Sequence, residues 1–347
     1  QSIPYFSVHR KLMATIREVA QLAGVSYATV SHVINKTRFV SEDTRERVVS
    51  AMAELNYRPN ALARSLRRGR TNTIGLILPD SANPFFAEIG RAIEDAAFNL
   101  GYSLILCNTE RDLEREHFYV DVLSKKQVDG IIFVAAGMSA EHIRMLQEKR
   151  MPVVVVDRDS PGVMVDSVQI DNAAGGWLAT NHLIELGHTQ IACIAGPSDV
   201  TPSGERVDGY RRALREAGIA AHKENIVRGD FHAASGYRIT EELLARDERP
   251  TAIFACNDLM AIGALSAAKA MGFRVPEDVS VVGFDDIYLA AYTNPPLTTV
   301  RQPKYEMGRL ATKLLLERMQ DTDLPPRTPL LNTELVARAS SCALVRQ

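Results

Sequence analysis

The sequence predicts an N-terminal all-α helix-turn-helix unit with a hinge helix, followed by an α/β body of two doubly wound lobes with parallel sheets. Three observations predict this class. The hydrophobic period is helical up to about residue 57 and then changes to apolar strands alternating with amphipathic helices. Charge divides in the same region. Residues 1–72 hold 12 Lys/Arg and 5 Asp/Glu, the remainder 28 and 37, so a net charge of −2 conceals a basic head on an acidic body. A chain of 347 residues, 46% hydrophobic and 24% charged, buries a sizeable core and has room for two or three domains.

Residues 1–12 lack the apolar stretch of a signal peptide and read as an upstream extension, with Met13 the expected native start. Residues 13–57 form the helix-turn-helix domain. Thr15 is placed to cap a helix over Ile16–Ala23, whose Ile16, Val19 and Ala20 share a face. Gly24-Val25-Ser26 is a turn, and Ser26 caps a second helix, Tyr27–Asn35, with Val30, Val33 and Ile34 on its apolar side. Ser41 precedes a third helix, Glu42–Asn56, with Val48, Val49, Met52 and Leu55 at helical spacing. Two short helices across a glycine turn fit a DNA-reading unit, with a structural three-helix bundle as the alternative. The outer face of the second helix favours the former. Tyr27, Ala28, Thr29, Ser31 and His32 offer hydroxyls, an imidazole and a methyl, the groups that read base edges in a major groove. Arg38, Arg45, Arg47 and Arg58 are candidates for phosphate contacts.

Residues 58–72 form the hinge helix and linker. Pro59 suits a helix start, and the helix is too short to be stable alone in water. Its Leu62 and Leu66 lie four residues apart among arginines, an apolar wedge between cations that suits a minor groove. A linker helix docked on the body is the alternative. Gly69-Arg70-Thr71-Asn72 reads as a joint.

The body has strands predicted at Ile74–Leu78, Ser103–Cys107, Gly130–Val134, Val153–Val156, Ile191–Ala195, Ile253–Ala255 and Val279–Phe284. Helices are predicted at Phe85–Leu100, Leu113–Lys126, Ala140–Lys149, Asn172–Leu186, Arg206–Ala217, Ala233–Ala245 and Leu259–Met271. Strands apolar on both faces, joined by crossover helices, make parallel sheets, and the pattern runs through twice. Ligands of such sheets sit beyond the carboxyl ends of the strands. The polar and aromatic residues there are Asn83, Phe85, Phe86, Asp157, Arg158, Arg206, Phe231, Asn257, Asp285 and Gln302, with the turn near Ser203 leading into Arg206. Singly, the phenylalanines suit a core, the amides suit caps and Asp157-Arg158 suits a structural ion pair. Together they make a nearly neutral site with two carboxylates, two guanidiniums, balanced amide donors and acceptors, and three aromatic faces. Neutral vicinal hydroxyls need that balance, whereas a phosphorylated ligand calls for a cationic excess. A free sugar is the better match.

The runs Thr15–Ala20, Gly24-Val25-Ser26, Thr29-Val30-Ser31, Ile34-Asn35 and Asn60–Leu66 resemble the lactose-repressor/galactose-repressor (LacI/GalR) family, and Val30–Val40 resembles its purine and ribose repressors. The resemblance runs from Met13 through the chain. It implies a repressor that binds double-stranded, pseudo-palindromic operator DNA as a homodimer paired through its body. DNA contacts are implied at Thr15, Ser26, Tyr27, Ala28, Thr29, Ser31, His32, Asn35, Arg38, Ala63, Leu66 and Arg67, with the hinge helix folding on the operator and Leu66 as the wedge. It further implies a periplasmic-binding-protein-like core whose late segments cross back between lobes. The N-terminal lobe is then 73–171 plus about 303–330, and the C-terminal lobe about 172–302 plus 331–347. The strand-end set resembles the ribose contacts of ribose-binding proteins, so the implied effector is ribose. Purine-responding repressors carry an arginine where Val200 aligns, which disfavours a purine.

Other classes fit less well. No G-x-S-x-G, Walker A or H-E-x-x-H motif is present, and His188 resembles a structural loop element of the family, so no enzyme and no cofactor are expected. Cys107, Cys193, Cys256 and Cys342 lie far apart without CxxC spacing, which argues against a zinc ribbon or disulfide scaffold and suits a reducing cytoplasm. No apolar run approaches the roughly 20 residues that span a bilayer, so no membrane partner is expected. The tail has no leucine heptad, so a dimer is expected rather than a tetramer.

Overall fold

The computed structural model describes residues 14–57, 70–134, 140–157, 162–198 and 200–344. The extension 1–12, the hinge helix with Arg58, Ala63, Leu66 and Arg67, and Arg158 lie outside the described residues. The chain divides into two units at Thr71/Asn72.

The first unit contains α1 (Ile16–Leu22), α2 (Tyr27–Asn35) and α3 (Glu42–Glu54). Thr15 and Glu18 form a reciprocal capping box: Thr15 Oγ1 accepts from the Glu18 amide at 3.3 Å, and Glu18 Oε2 accepts from the Thr15 amide at 2.6 Å. Gly24, at φ +62°, makes the turn into α2 in a conformation that side chains resist. Ser26 Oγ accepts from the Thr29 amide at 3.0 Å and starts α2. Val19, Ala20, Ala23, Val30, Val33, Val48 and Ala51 form the core. Val49, expected inside, is 54% exposed. It lies about 100° around α3 from Val48, and Ala51 takes the inner position instead.

The second unit holds two six-stranded sheets. The first has the order β11-β5-β4-β3-β1-β2, from β1 (Thr73–Leu78), β2 (Ser103–Asn108), β3 (Gly130–Val134), β4 (Val153–Val156), β5 (Asp166–Ile170) and β11 (Leu330–Leu331), all pairs parallel. The second has the order β12-β10-β9-β8-β6-β7, from β6 (Ile191–Ala195), β7 (Ile226–Arg228), β8 (Ala252–Ala255), β9 (Ser280–Asp285), β10 (Thr298–Arg301) and β12 (Glu334–Val336). Only β10 with β12 is antiparallel. The orders β2-β1-β3-β4-β5 and β7-β6-β8-β9-β10 are the same doubly wound arrangement, so the lobes are topological copies.

Helices α4 (Pro84–Asn99), α5 (Leu113–Lys125) and α6 (Ala140–Glu148) belong to the first lobe. Helices α7 (Asn172–Glu185), α8 (Thr201–Glu216), α9 (Ala233–Leu244) and α10 (Asp258–Ala270) belong to the second. After β10 the chain returns to the first lobe as α11 (Lys304–Gln320), packed on α4, β3, β4 and β5, and then as β11; β12 re-enters the second. Five strands among the described residues, β5, β7, β10, β11 and β12, and helix α11 lie outside the predicted strands and helices. β5 reads DSVQI, with two polar residues at its start, and β7 is three residues long. α8 starts at Thr201, five residues before the predicted start, because Pro202 fits a first helical turn; Ser203 lies inside the helix, not in a turn. Among the described residues no helix is long and apolar enough to cross a membrane.

Candidate functional site

The strand-end residues meet in a cleft between the two lobes of the body. It holds about 510 Å³ of atom-free space, counting its open mouth. From the first lobe come Asn83, Phe85 and Phe86, after β1, and Asp157, after β4. From the second come Arg206, Phe231, Asn257 and Asp285. Asn83 caps α4, accepting from the Phe85 amide at 3.0 Å, and Pro84 holds the first helical position. The rings of Phe85 and Phe86 meet edge to face at 5.1 Å.

The second-lobe groups are held from behind. Arg206 donates from Nε to Asn172 Oδ1 at 2.9 Å and from Nη1 to the Cys256 carbonyl at 2.7 Å, and its guanidinium stacks 3.9 Å over the Phe284 ring. A Cβ at Gly176 would lie 2.1 Å from the Arg206 carbonyl oxygen, so only glycine lets α7 approach α8 this closely. Asp285 lies 3.7 Å from Arg206 and accepts from Gln302 Nε2 at 2.7 Å. Gln302 therefore supports Asp285, while its own Oε1 is buried with no hydrogen-bond partner among the described residues. Lys304 Nζ donates to the carbonyls of Asp285 and Asp286 at 2.7 and 2.6 Å. These bonds hold two residues at φ +116° and +51°. Asn257 caps α10 through the Met260 amide and donates to the Phe231 carbonyl at 2.9 Å.

On the first lobe Asp157 is held less fully. It is 5% exposed, sits at φ +57°, and its Oδ1 is buried with no hydrogen-bond partner among the described residues. Burial pushes its carboxyl up to about 7, with the Arg206 charge opposing the rise. Asp285, also raised by burial, is held to about 6 by Arg206, Lys304 and Gln302.

In the first unit Tyr27 and Ala28 are exposed at the start of α2, while Thr29, Ser31, His32 and Asn35 are half-buried. Several polar groups there are already engaged. Ser26 and Thr15 are caps, His32 Nδ1 lies 2.8 Å from Thr37 Oγ1, and Asn35 Nδ2 donates to the Ser31 carbonyl at 2.8 Å. Arg38 is exposed; Arg45 and Arg47 face Glu42 and Asp43 at 3.5 and 3.7 Å.

Residues 15–60 match the bacterial regulatory proteins of the lacI family, and residues 180–341 match the periplasmic binding protein-like domain. Over 331 residues the chain is 46% identical to the HTH-type transcriptional repressor PurR of Aliivibrio fischeri, covering 94% of this chain and 98% of that protein. The chain belongs to the lacI family of bacterial regulatory proteins. Among solved structures, this lacI-family chain is similar to the lac repressor dimer bound to operator and the anti-inducer ONPF, with 33% identity and a TM-score of 0.85 over 95% of this chain and 99% of that one. A LacI family transcriptional regulator from Enterococcus faecium with bound ribose is 33% identical, with a TM-score of 0.72 over 79% of this chain and 100% of that one. The lacI-family chain is thus a DNA-binding transcriptional repressor with a periplasmic-binding-protein-like body, and not an enzyme.

Reading strand ends left out four cleft-lining residues of this family member: Arg111, Thr201, Pro202 and, as a lining residue, Val200. Arg111 follows β2, so the same rule applied to that strand would have returned it. Val200, Thr201 and Pro202 were hidden by the late placement of the α8 start. Asn172 and Lys304 act through Arg206 and Asp285, and nothing in their local sequence marks such a role.

Proposed function

We propose that this repressor is controlled by free ribose bound between the lobes of its body, and that it acts in the cytoplasm as a homodimer on a pseudo-palindromic operator. The observation that carries the sugar reading is the buried Asp157 Oδ1, without a hydrogen-bond partner among the described residues, facing the fixed Arg206–Asp285 pair across a cleft with phenylalanine faces. A sugar hydroxyl donates to Asp157, others accept from Arg206, and the C–H face of the ring covers Phe85, Phe86 or Phe231. Arg158, outside the described residues, is proposed to join them from beside Asp157, and Asn83 and Asn257 to supply further polar contacts. Two heads are needed because one helix-turn-helix spans few base pairs.

A purine corepressor is the second reading, favoured by the identity to relatives named PurR. Against it, apolar Val200 lines the cleft at the position where, by the family resemblance, the purine-responding repressors carry an arginine.

Ribose-type repressors are released by their sugar, so closure of the lobes on ribose is expected to weaken operator binding. Operator titration with and without ribose tests this, and tighter binding with ribose reverses the sign. Leu66→Ala, in the proposed wedge, is expected to weaken operator binding and leave ribose binding intact. Operator affinity is also expected to fall steeply with salt, since the head engages phosphates.

A further inference from the structure

We propose that Arg111 and Phe231 form a specificity gate that limits the effector to a single sugar ring; the proposal rests on the sugar reading of the cleft. Arg111 comes from the first lobe and Phe231 from the second. The guanidinium carbon lies 5.1 Å from the centre of the Phe231 ring, within the range of a cation–π contact. The pair borders two spaces. On one side is the cleft with Asp157, Arg206 and Asp285. On the other is a larger cavity of about 1020 Å³, counting its mouth, lined by Asp80, Ser81, Asn108 and His232. Arg111 and Phe231 line both, as do Asn83 and Phe86 of the first lobe, and the Arg111–Phe231 contact is the part of this shared wall that joins the two lobes.

The loop that carries Arg111 is built to hold it there. The Thr109 amide donates to the Leu78 carbonyl at 3.0 Å, tying the loop to the end of β1. Asp112 closes a turn on Thr109 at 3.0 Å and caps α5 through the Glu114 amide at 2.8 Å. Between these ties Glu110 and Arg111 both adopt left-handed backbone conformations, at φ +53° and +60°. Two consecutive non-glycine residues in that region persist only where their surroundings enforce them. Phe231 is likewise left-handed, at φ +70°, and its carbonyl is held by Asn257.

An unextended sugar fits behind this pair. A substituent at either end of the ring that points towards the outer cavity has to part the guanidinium from the aromatic face. Discrimination against extended ligands therefore comes from the gate, and removing the guanidinium joins the two spaces.

The test is calorimetry and stopped-flow dissociation on the full chain. The probes are ribose, methyl and benzyl ribofuranoside (extended at C1) and 5-O-benzyl ribose (extended at C5). The wild-type chain is expected to prefer ribose over every extended probe by at least about tenfold. Arg111→Ala is expected to narrow that preference by about tenfold or more for at least one probe. It is also expected to speed ribose dissociation by about 3- to 30-fold, the loss of one desolvated cation–π contact. Arg111→Lys keeps the charge without the planar face and is expected to narrow the preference less. An unchanged preference in Arg111→Ala, or equal binding of ribose and its extended forms by the wild type, overturns the gate alone. No ribose binding by the wild type overturns the sugar reading, and the gate with it.

Discussion

On the second-lobe wall of the cleft, Arg206, Asp285 and Asn257 are all fixed by other protein groups before a ligand arrives; on the first-lobe wall, Asp157 buries a carboxylate oxygen with no such partner among the described residues. The second wall is a preorganised surface with little left to order on binding. The first carries an unmet polar demand in a dry place, which a hydroxyl donor fills. A ligand that docks on the second lobe and completes Asp157 therefore gains most when the lobes are together. That is the differential affinity a closing switch needs.

The largest expected effect breaks the fixed wall. Asp285→Ala removes the partner of Arg206 and Gln302 and is expected to weaken ribose binding by roughly 100-fold or more. Operator affinity without sugar should not change, because the head is a separate unit. Paired calorimetry and operator titration read both, and an equal loss of the two breaks the modular picture.

Breaking the unfilled wall gives a different signature. The Asp157 carboxyl is raised from 3.8 to about 7, so the stability linked to it is fully present below about 4 and is lost as pH rises through 7. Asp157→Asn removes a buried charge that is costly above pH 7. It is expected to raise the melting temperature of the sugar-free body at pH 8 by a few degrees while weakening ribose binding about tenfold or more. A variant that melts lower at pH 8 contradicts the assignment of an unmet demand.

The pH dependence of binding sharpens the same contrast. If ribose donates to the ionised Asp157, its affinity rises between about pH 6 and 8 and binding releases protons, because the free carboxyl is partly protonated below 7. Calorimetry in buffers of different ionisation enthalpy measures the release. Asp157→Asn should abolish most of it.

The smallest effect is expected where the lobes touch outside the cleft. Glu88 accepts from the Tyr288 amide at 3.1 Å and faces Lys304 at 3.3 Å. Glu88→Gln is expected to change ribose affinity by less than about threefold, as partly exposed pairs contribute little.

The two walls were not equally legible in the sequence. Strand ends are marked by where an apolar run stops, so Asn83, Asp157, Asn257 and Asp285 could be found without coordinates, and the structure brings them together. The repeated βα pattern likewise disclosed two lobes. What stayed hidden depends on distance in space. Gln302 sits at a strand end yet serves Asp285; Asn172 and Lys304 act across helices; β5 and β7 are too polar or too short for a period to register. In the head, capping chemistry and base-reading chemistry use the same residue types. Thr15 and Ser26 carry a cap's hydrogen bonds, which the sequence alone does not separate from a contact with DNA.

A neutral sugar, and not a purine, is proposed to complete this cleft. Calorimetry of the full chain at pH 7 with ribose and with purine bases tests it most directly. Saturable heat and proton release are expected with ribose and none with the purines; binding of a purine base with no response to ribose would contradict the sugar proposal.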